Sequence, residues 1–384
     1  MIKLLTIVGA RPQIIKASAM NRAIRSTFPD SMTEVILHTG QHYDKEMSEV
    51  FFTELDIPAP DYQLHVGSLS HGKQTARMIE GIEEVILTEK PDVVLVYGDT
   101  NSTLAGALAA SKLHVPLAHI EAGLRSFNKS MPEEVNRVLA DHVSSFLFCP
   151  THTAIENLKK EGFDTEASPP FNLDHPGIFH CGDVMYDNSL HFADVSATRS
   201  TILQDCHLTP DRFVLATVHR DNNTDEPSRL NAIMEALLTV ACEEGTVVVL
   251  PAHPRTRKAM ERNLAPALES AIRETEDFKI IPPVSFLDMI ALEKNAELIL
   301  TDSGGLQKEA FFFKKPCVVL RDQTEWVELV ENGTSALAGG SQSTRILDAV
   351  TGLRGLSDYP APPIFGDGKA ADFICKQLLE HLKF

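Results

Sequence analysis

The sequence predicts an α/β protein made of two Rossmann-like, doubly wound parallel-sheet domains. Apolar runs of strand length alternate with amphipathic segments of helical period through both halves of the chain. The chain has 384 residues, which is more than one hydrophobic core usually fills, so two domains are the default. In such folds ligands bind at the carboxyl ends of the strands, which we expect to face an interdomain active-site cleft.

The individual elements follow the same pattern from end to end. Strands are predicted at residues 4–8, 35–38, 93–97, 117–120 and 146–149 in the first half. In the second half they are predicted at residues 213–217, 247–251, 279–281, 298–301 and 317–320. Their continuous apolar character is typical of strands buried on both faces of a parallel sheet. Helices are predicted between them, notably at residues 72–88, 104–111, 227–241 and 305–313.

The domain boundary is expected where the periodic pattern is weakest. Residues 165–188 contain Pro169, Pro170, Pro176 and Gly177, which interrupt any regular element. We therefore predict an N-terminal domain over residues 1–182 and a C-terminal domain over residues 183–365. Residues 366–384 should form an amphipathic helix that packs back on the N-terminal domain.

Charge and hydropathy limit the partners. The formal net charge is −18, which argues against a nucleic-acid partner and against docking on an anionic membrane. The opening apolar run is too short for a signal peptide, and no run approaches the roughly 18 residues of a membrane span. A cytoplasmic protein is expected, in which local basic groups and backbone amides hold any anionic ligand.

The sequence gives no indication of a metal or an organic cofactor. The six cysteines are far apart and the fifteen histidines show no metal-ligand spacing. The turn after the first predicted strand lacks the G-x-G-x-x-G pattern, which disfavours a nicotinamide dinucleotide. We expect neither metal nor cofactor.

Several acids lie where a parallel sheet gathers its ligand-binding groups. Asp99 and Glu121 each follow a predicted buried strand, and Glu133 and Glu134 open a helix after Pro132. Carboxylates that meet in one crevice are suited to moving protons, because burial and repulsion raise the pKa of some of them. An acid after a strand also often caps the following helix, and Asp99 fits that role as well.

Three turns could bind an anion. Arg11 starts a helix after the first strand, Ser303-Gly304-Gly305 connects a strand to a helix, and His219 follows a strand. Glu309 lies about one helical turn beyond Gly305, where it could accept hydrogen bonds from ribose hydroxyls. A solvated arginine, a tight turn and a helix cap would explain the same residues without a ligand.

Together these segments resemble the non-hydrolysing UDP-N-acetylglucosamine 2-epimerases. The resemblance covers nearly the whole chain in order, which is more specific than any single motif. It rests on GARPQIIK (9–16), HTGQHYDKEMSEVFF (38–52), YGDTNSTLAGALAA (97–110), HIEAGLRS (119–126), PEEVNR (132–137), HR (219–220), TDSGGLQKEA (301–310) and FGDGKA (365–370). The fold that it implies is that of the GT-B glycosyltransferases.

The resemblance also implies a reaction. The family removes the C2 proton of UDP-N-acetylglucosamine, expels UDP by anti elimination to give 2-acetamidoglucal, and adds UDP back to form UDP-N-acetylmannosamine for surface polysaccharides. A homodimer is likewise expected. The implied proton-handling or catalytic residues are Asp99, Glu121, Glu133 and His219. The implied substrate-binding residues are Arg11, Lys16, Gln41, His42, Arg137, Ser303, Gly304, Gly305 and Glu309.

Two segments depart from the better-known members. Residues 251–258 read PAHPRTRK and residues 320–330 read LRDQTEWVELV, forms that resemble the branch acting on UDP-2,3-diacetamido-2,3-dideoxyglucuronate. The extra carboxylate of that sugar would need a cation, which Arg255, Arg257 or Arg321 could supply. These departures also put allosteric activation by UDP-N-acetylglucosamine in doubt.

Three other classes stay open. A GT-B glycosyltransferase would share the fold and the UDP site, but it would have no use for the C2 proton acids. A hydrolysing epimerase would release free N-acetylmannosamine and UDP. A two-domain sugar-binding protein would share only hinge closure and should carry an export signal.

Overall fold

The computed structural model describes residues 1–41, 55–243, 245–356 and 359–382. The chain forms two compact units. Unit 1 comprises Met1–Asn188 and Pro363–Phe384, and unit 2 comprises Ser189–Pro362. Among the helices in these described parts of the chain, none is both long and apolar enough to span a membrane.

Unit 1 contains a seven-stranded parallel sheet. Its strands are β1 (Ile2–Val8), β2 (Met32–His38), β3 (Tyr62–Gln63), β4 (Val93–Tyr97), β5 (Leu117–Ile120), β6 (Phe146–Cys149) and β7 (Gly177–His180). The order across the sheet is β3-β2-β1-β4-β5-β6-β7. The order reverses between β1 and β4, and such a switch point is where open parallel sheets bind ligands.

Six helices follow in the same part of the chain, and the last of them carries it into unit 2. They are α1 (Arg11–Thr27), α2 (His71–Glu89), α3 (Asn101–Lys112), α4 (Pro132–Asp141), α5 (His152–Lys160) and α6 (Val184–Arg199). The central strand β4 is apolar at every position and completely buried, because helices cover both faces of the sheet.

Unit 2 repeats this architecture with a six-stranded parallel sheet. Its strands are β8 (Phe213–Thr217), β9 (Val247–Pro251), β10 (Phe278–Ile281), β11 (Leu298–Thr301), β12 (Cys317–Val319) and β13 (Ser335–Leu337). The order β10-β9-β8-β11-β12-β13 places the switch point between β8 and β11.

The helices of unit 2 alternate with these strands. They are α7 (Ile202–Asp205), α8 (Asp221–Thr224), α9 (Pro227–Ala241), α10 (Pro254–Asn263), α11 (Pro266–Glu274), α12 (Phe286–Asn295), α13 (Gly304–Phe312), α14 (Val327–Glu331) and α15 (Ser343–Leu353). The two-domain α/β fold and the ten predicted strands are confirmed, six of them with identical bounds and four with an end shifted by one to three residues.

Sequence reasoning missed three strands, and all three lie at sheet edges. They are β3, β7 and β13. An edge strand is short and only partly covered, so it lacks the continuous apolar run that identifies a central strand. Strand β7 also lies within the proline-rich segment that we read as a boundary.

The chain returns to unit 1 at its end. Helix α16 (Ala370–His381) packs against α1. The carboxylate of Asp187 accepts hydrogen bonds from the amides of Ala370 (3.0 Å) and Ala371 (2.8 Å). An acid at a helix N-terminus satisfies otherwise unpaired amides and interacts favourably with the helix dipole.

Candidate functional site

The switch point of unit 1 gathers the acids predicted from the sequence. Asp99 lies two residues beyond β4, and Glu121 directly follows the neighbouring strand β5. Arg11 is the exposed first residue of α1, after β1. Because the three strands are parallel neighbours, their carboxyl ends lie along one edge of the sheet.

Each of the two acids at the strand ends is paired with its own cation. Arg137 on α4 donates to the carboxylate of Asp99, and Lys16 on α1 donates to that of Glu121. The Lys16 and Glu121 side chains are 12% and 13% exposed, while Asp99 keeps 33% of its side-chain surface accessible. The site therefore offers two carboxylates of different solvation on adjacent strands.

Burial and neighbouring charges shift the pKa of Asp99 in opposite directions. Burial raises the pKa of Asp99 above its usual value, Arg137 opposes that rise, and the negative charges of Glu121 and Glu133 add to it. Glu133 is exposed at the second position of α4. A carboxylate with a raised pKa takes up a proton more readily, which suits a group that must both accept and return one.

We expect single substitutions to move the pKa of Asp99 in opposite directions. Arg137→Gln removes a positive charge and should raise it, whereas Glu133→Gln removes a negative charge and should lower it. The carboxyl ¹³C signal of Asp99 followed against pH measures both. Glu80→Gln, at an exposed position of α2, is the control. Shifts of the same sign in both variants would contradict this electrostatic picture.

The turn after β1 is held differently from our expectation. The side-chain oxygen of Gln13 accepts the amides of Gly9 (2.9 Å) and Ala10 (3.2 Å). Its nitrogen donates to the carbonyl of Tyr97 (2.9 Å) and the hydroxyl of Thr103 (3.0 Å). These two amides, which we read as free to bind an anion, are thus engaged within the protein. Gln13 was missed because a glutamine within a helix carries no motif of its own.

The predicted substrate contact Gln41 also has a structural task. Its side-chain oxygen accepts the amide (3.0 Å) and the hydroxyl (2.7 Å) of Ser102, in the first turn of α3. The neighbouring His42 lies outside the described residues. The side chain of Gln41 therefore fastens the chain after β2 to the helix that follows Asp99.

Glu134 anchors a loop. It is 2% exposed, and its two oxygens accept the amides of Ser126 and Phe127, each at 2.9 Å. Asn136, two residues later on the same helix, donates its side-chain amide to the backbone carbonyl of Asp99 at 2.9 Å. Of the adjacent acids Glu133 and Glu134, the first faces solvent and the second is committed to the backbone.

Unit 2 forms a second cluster at its own switch point. His219 follows β8, and Ser303, Gly304 and Gly305 follow the neighbouring strand β11. Ser303 caps α13, and Gly305 is exposed at the start of that helix, a geometry that favours phosphate. The carboxylate of Glu309 lies near Gly305, since a Cβ added to Gly305 would be 3.9 Å from its oxygen.

Asp302, which was not among the predicted site residues, organises this second cluster. It is completely buried and accepts the amides of His219 (3.1 Å) and Arg220 (3.0 Å) and the side chain of Asn223 (3.1 Å). Nδ1 of His219 is 3.0 Å from the Asp302 carboxylate. This contact leaves Nε2 as the nitrogen that can meet a ligand. Asp302 directly follows a strand, and this position, like that of Asp99, could have identified Asp302 from the sequence.

The three arginines proposed to bind an extra sugar carboxylate already have partners within the protein. Arg255 pairs with Asp221 (2.6 Å) and Asp225 (3.0 Å). Arg321 pairs with Glu325 at 2.9 Å, and Arg257 donates to a backbone carbonyl at 3.4 Å. A substrate carboxylate would have to share or displace the contacts of Arg255, whereas the buried Nη1 of Arg321 has no hydrogen-bond partner in the described part of the chain. Within the described residues, no group of three or more His, Cys, Asp or Glu side chains could hold a metal ion.

Comparison with known proteins gives consistent matches over the whole chain. The family model described as UDP-N-acetylglucosamine 2-epimerase matches residues 27–379. The chain is 52% identical to the UDP-2,3-diacetamido-2,3-dideoxy-D-glucuronate 2-epimerase of Pseudomonas aeruginosa, covering 98% of this chain and 99% of that protein. It is 43% identical to the UDP-N-acetylglucosamine 2-epimerase of Methanocaldococcus jannaschii, covering 98% of each.

Solved structures agree. The crystal structure of the M. jannaschii UDP-GlcNAc 2-epimerase in complex with UDP-GlcNAc and UDP superimposes with a TM-score of 0.83 at 41% identity. The match covers 99% of this chain and 100% of that one. The S. aureus MnaA–UDP structure gives a TM-score of 0.82 at 31% identity, covering 100% and 97%.

Proposed function

The chain belongs to the UDP-N-acetylglucosamine 2-epimerase family, and from that premise we propose that it inverts C2 of a UDP-2-acetamido sugar without hydrolysing it. The observation that carries the proposal is a pair of carboxylates at the ends of adjacent strands. Asp99 is ion-paired with Arg137, and Glu121 is ion-paired with Lys16. An enzyme that only transferred the sugar would need no acids to move the C2 proton.

The reaction needs one base, one acid and stabilisation of departing diphosphate. A carboxylate takes the C2 proton, the C2–H electrons form the C1=C2 double bond, and UDP leaves with the C1–O electrons. UDP oxygen then attacks C1 of the 2-acetamidoglucal while a proton is delivered to the opposite face of C2. We assign proton transfer to Asp99, Glu121 and Glu133 as a set, since interacting carboxylates titrate together.

UDP binding is assigned mainly to unit 2. The amides of Gly304 and Gly305 and the hydroxyl of Ser303 suit the diphosphate, and Glu309 suits the ribose hydroxyls. His219, held on Asp302, would assist the departing phosphate. In unit 1, Arg11 and Lys16 supply positive charge and Arg137 supports the acids, while Gln41 and His42 are proposed substrate contacts.

Two substrates are candidates. UDP-N-acetylglucosamine is favoured by the family as a whole, and two of the cations nominated for an extra carboxylate, Arg255 and Arg321, already form ion pairs. UDP-2,3-diacetamido-2,3-dideoxyglucuronate is favoured by the 52% identity to the P. aeruginosa enzyme that is named for it. Both are 2-acetamido sugars, so the same C2 chemistry serves either.

The test is to incubate the purified protein with each UDP sugar in deuterated water. We expect the C2 epimer to form with one deuterium at C2, as read by proton NMR. Free N-acetylmannosamine and UDP would indicate a hydrolysing epimerase, and transfer to an added acceptor a glycosyltransferase. Absence of deuterium at C2 with both sugars would overturn the proposal.

We further propose that the protein is a homodimer that forms through an apolar surface of unit 1. We also propose that it works in a reducing compartment such as the cytoplasm. Val135 and Leu139 are one turn apart on α4 and 40% and 43% exposed, and Phe127, whose amide donates to Glu134 on the same helix, is 75% exposed. All six cysteines are free thiols, which is typical of a reducing compartment. Leu139→Lys should yield monomers in sedimentation velocity, whereas Leu87→Lys, at an exposed position of α2, should not.

A further inference from the structure

Beneath the two acids lies a completely buried histidine that the proposed chemistry does not use. His119 is the third residue of β5, two residues before Glu121. Its Nδ1 is 2.7 Å from Oδ1 of Asp141, and its Nε2 is 2.7 Å from the carbonyl oxygen of Gly98. A carbonyl oxygen can only accept, so Nε2 carries a proton.

The surroundings of Asp141 favour its charged form. Its second oxygen accepts the amide of Gly123 at 3.1 Å and Nη1 of Arg125 at 2.7 Å. Burial raises the pKa of Asp141, but the charges and hydrogen bonds of His119 and Arg125 outweigh it and leave that pKa below its usual value. A carboxylate at 2.7 Å requires a proton on Nδ1, so the ring carries protons on both nitrogens.

The charges of this buried cluster balance. Arg125 also binds Glu161 through two hydrogen bonds of 2.7 and 2.8 Å, and His142 lies 3.4 Å from the same carboxylate. The nearby thiol of Cys149 is neutral, because burial raises its pKa well above the usual value. Two cations, Arg125 and the His119 ring, thus face the two carboxylates of buried Asp141 and exposed Glu161, which lowers the cost of burying Arg125, His119 and Asp141.

Asp141 contacts the chain on both sides of Glu121, through the His119 ring on one side and the Gly123 backbone on the other. One oxygen binds His119, two residues before Glu121, and the other binds the amide of Gly123, two residues after it. Glu121 itself has φ of +74°, in the left-handed region. That conformation is strained for a non-glycine residue and persists only where neighbouring contacts enforce it.

His119 extends the same support to Asp99 through Gly98. The amide of Gly98 donates to the carbonyl of Ile120 at 3.0 Å, and its carbonyl accepts from His119, so both of its polar groups are tied to β5. Gly98 has φ of +62°, and a Cβ added there would be 3.2 Å from the Glu121 carboxylate. The turn that presents Asp99 is therefore packed directly against Glu121.

We propose that His119, protonated on both nitrogens between Asp141 and Gly98, is a positioning residue that fixes where Asp99 and Glu121 lie. The inference rests on the proposed function in that these two acids move the C2 proton. The imidazolium itself touches no substrate. It acts by holding two strand ends in one geometry, and misplacement of catalytic groups by about 1 Å can cost on the order of 10²-fold in rate.

The protonation state is tested on the wild-type protein, without substrate. Protein labelled with ¹⁵N in histidine is observed by NMR at neutral pH. We expect both His119 nitrogens to show imidazolium shifts with attached protons, assigned by through-bond correlation of the ring with the His119 backbone. A bare nitrogen on His119 would overturn the proposal, even if the epimerase reaction is established.

The positioning role is tested by kinetics. His119→Asn should lower kcat by roughly 10- to 100-fold while changing KM less than about threefold, because most of the proposed nucleotide contacts lie in unit 2. Asp141→Asn should shift His119 to the neutral form and lower kcat similarly. His142→Asn, which changes the residue next to Asp141, should leave both kcat and the His119 signals unchanged.

The outcomes separate this proposal from the proposed function. Wild-type kcat in a folded His119→Asn protein would refute positioning. If His119→Asn fails to fold, the wild-type ¹⁵N spectrum and the Asp141→Asn kinetics still decide. Absence of C2 exchange in the wild-type protein would refute the proposed function, while the ¹⁵N result would stand.

Discussion

Replacing Asp99 by Asn or Glu121 by Gln should lower turnover by on the order of 10²–10⁴, the range attributed to general acid–base groups. Each change keeps the shape of the side chain and removes the group that takes or gives the C2 proton. UDP affinity should stay within about threefold, because most of the proposed nucleotide contacts lie in unit 2 and because Arg11 and Lys16 keep their charge. Isothermal titration with UDP and the C2 exchange assay measure the two effects.

Two observations would contradict this expectation. Turnover near the wild-type level would show that the acid does not move the proton. Loss of the fold would show that its pair with Arg137 or Lys16 is structural, and a melting curve detects this. Glu80→Gln makes the same chemical change at an exposed helical position and should alter neither turnover nor melting temperature.

Asp302→Asn should weaken both the stability of the protein and its activity. The carboxylate accepts from two backbone amides and the side chains of Asn223 and His219, and an amide group cannot accept from all of them. Each buried donor left without a partner costs about 1–3 kcal/mol. Because the same change releases His219, turnover should fall together with the free energy of unfolding.

A matched variant separates this effect from a general loss of charge. Asp322 also follows a strand of unit 2, but its side chain is 61% exposed and its contacts to Arg229 are 3.3 Å long. Asp322→Asn should change the free energy of unfolding by less than about 0.5 kcal/mol, as is usual for exposed positions. Equal destabilisation of both variants in urea would show that Asp302 has no special role.

Local sequence was sufficient for the elements at the centre of each sheet. A strand buried on both faces must be apolar at every position, so β4, β5 and β11 could be recognised from their own residues. The acids at their ends were recognisable for the same reason, because a polar group directly after such a run lies at the sheet edge. The edge strands β3, β7 and β13 carry no such pattern.

The sequence by itself determined the fold class, the strands of both sheet centres, the family and the strand-end position of Asp99 and Glu121. Only the tertiary structure decided what each of these acids contacts. Arg137 is 38 residues from Asp99 and Lys16 is 105 residues from Glu121, so no local pattern links them. Likewise the side chain of Gln13 accepts the amide of Gly9 in the turn after β1, and Asp141 accepts the amide of Gly123 just beyond Glu121. Side-chain partners depend on which distant segments the sheet order brings together, whereas strand identity depends only on burial along one segment.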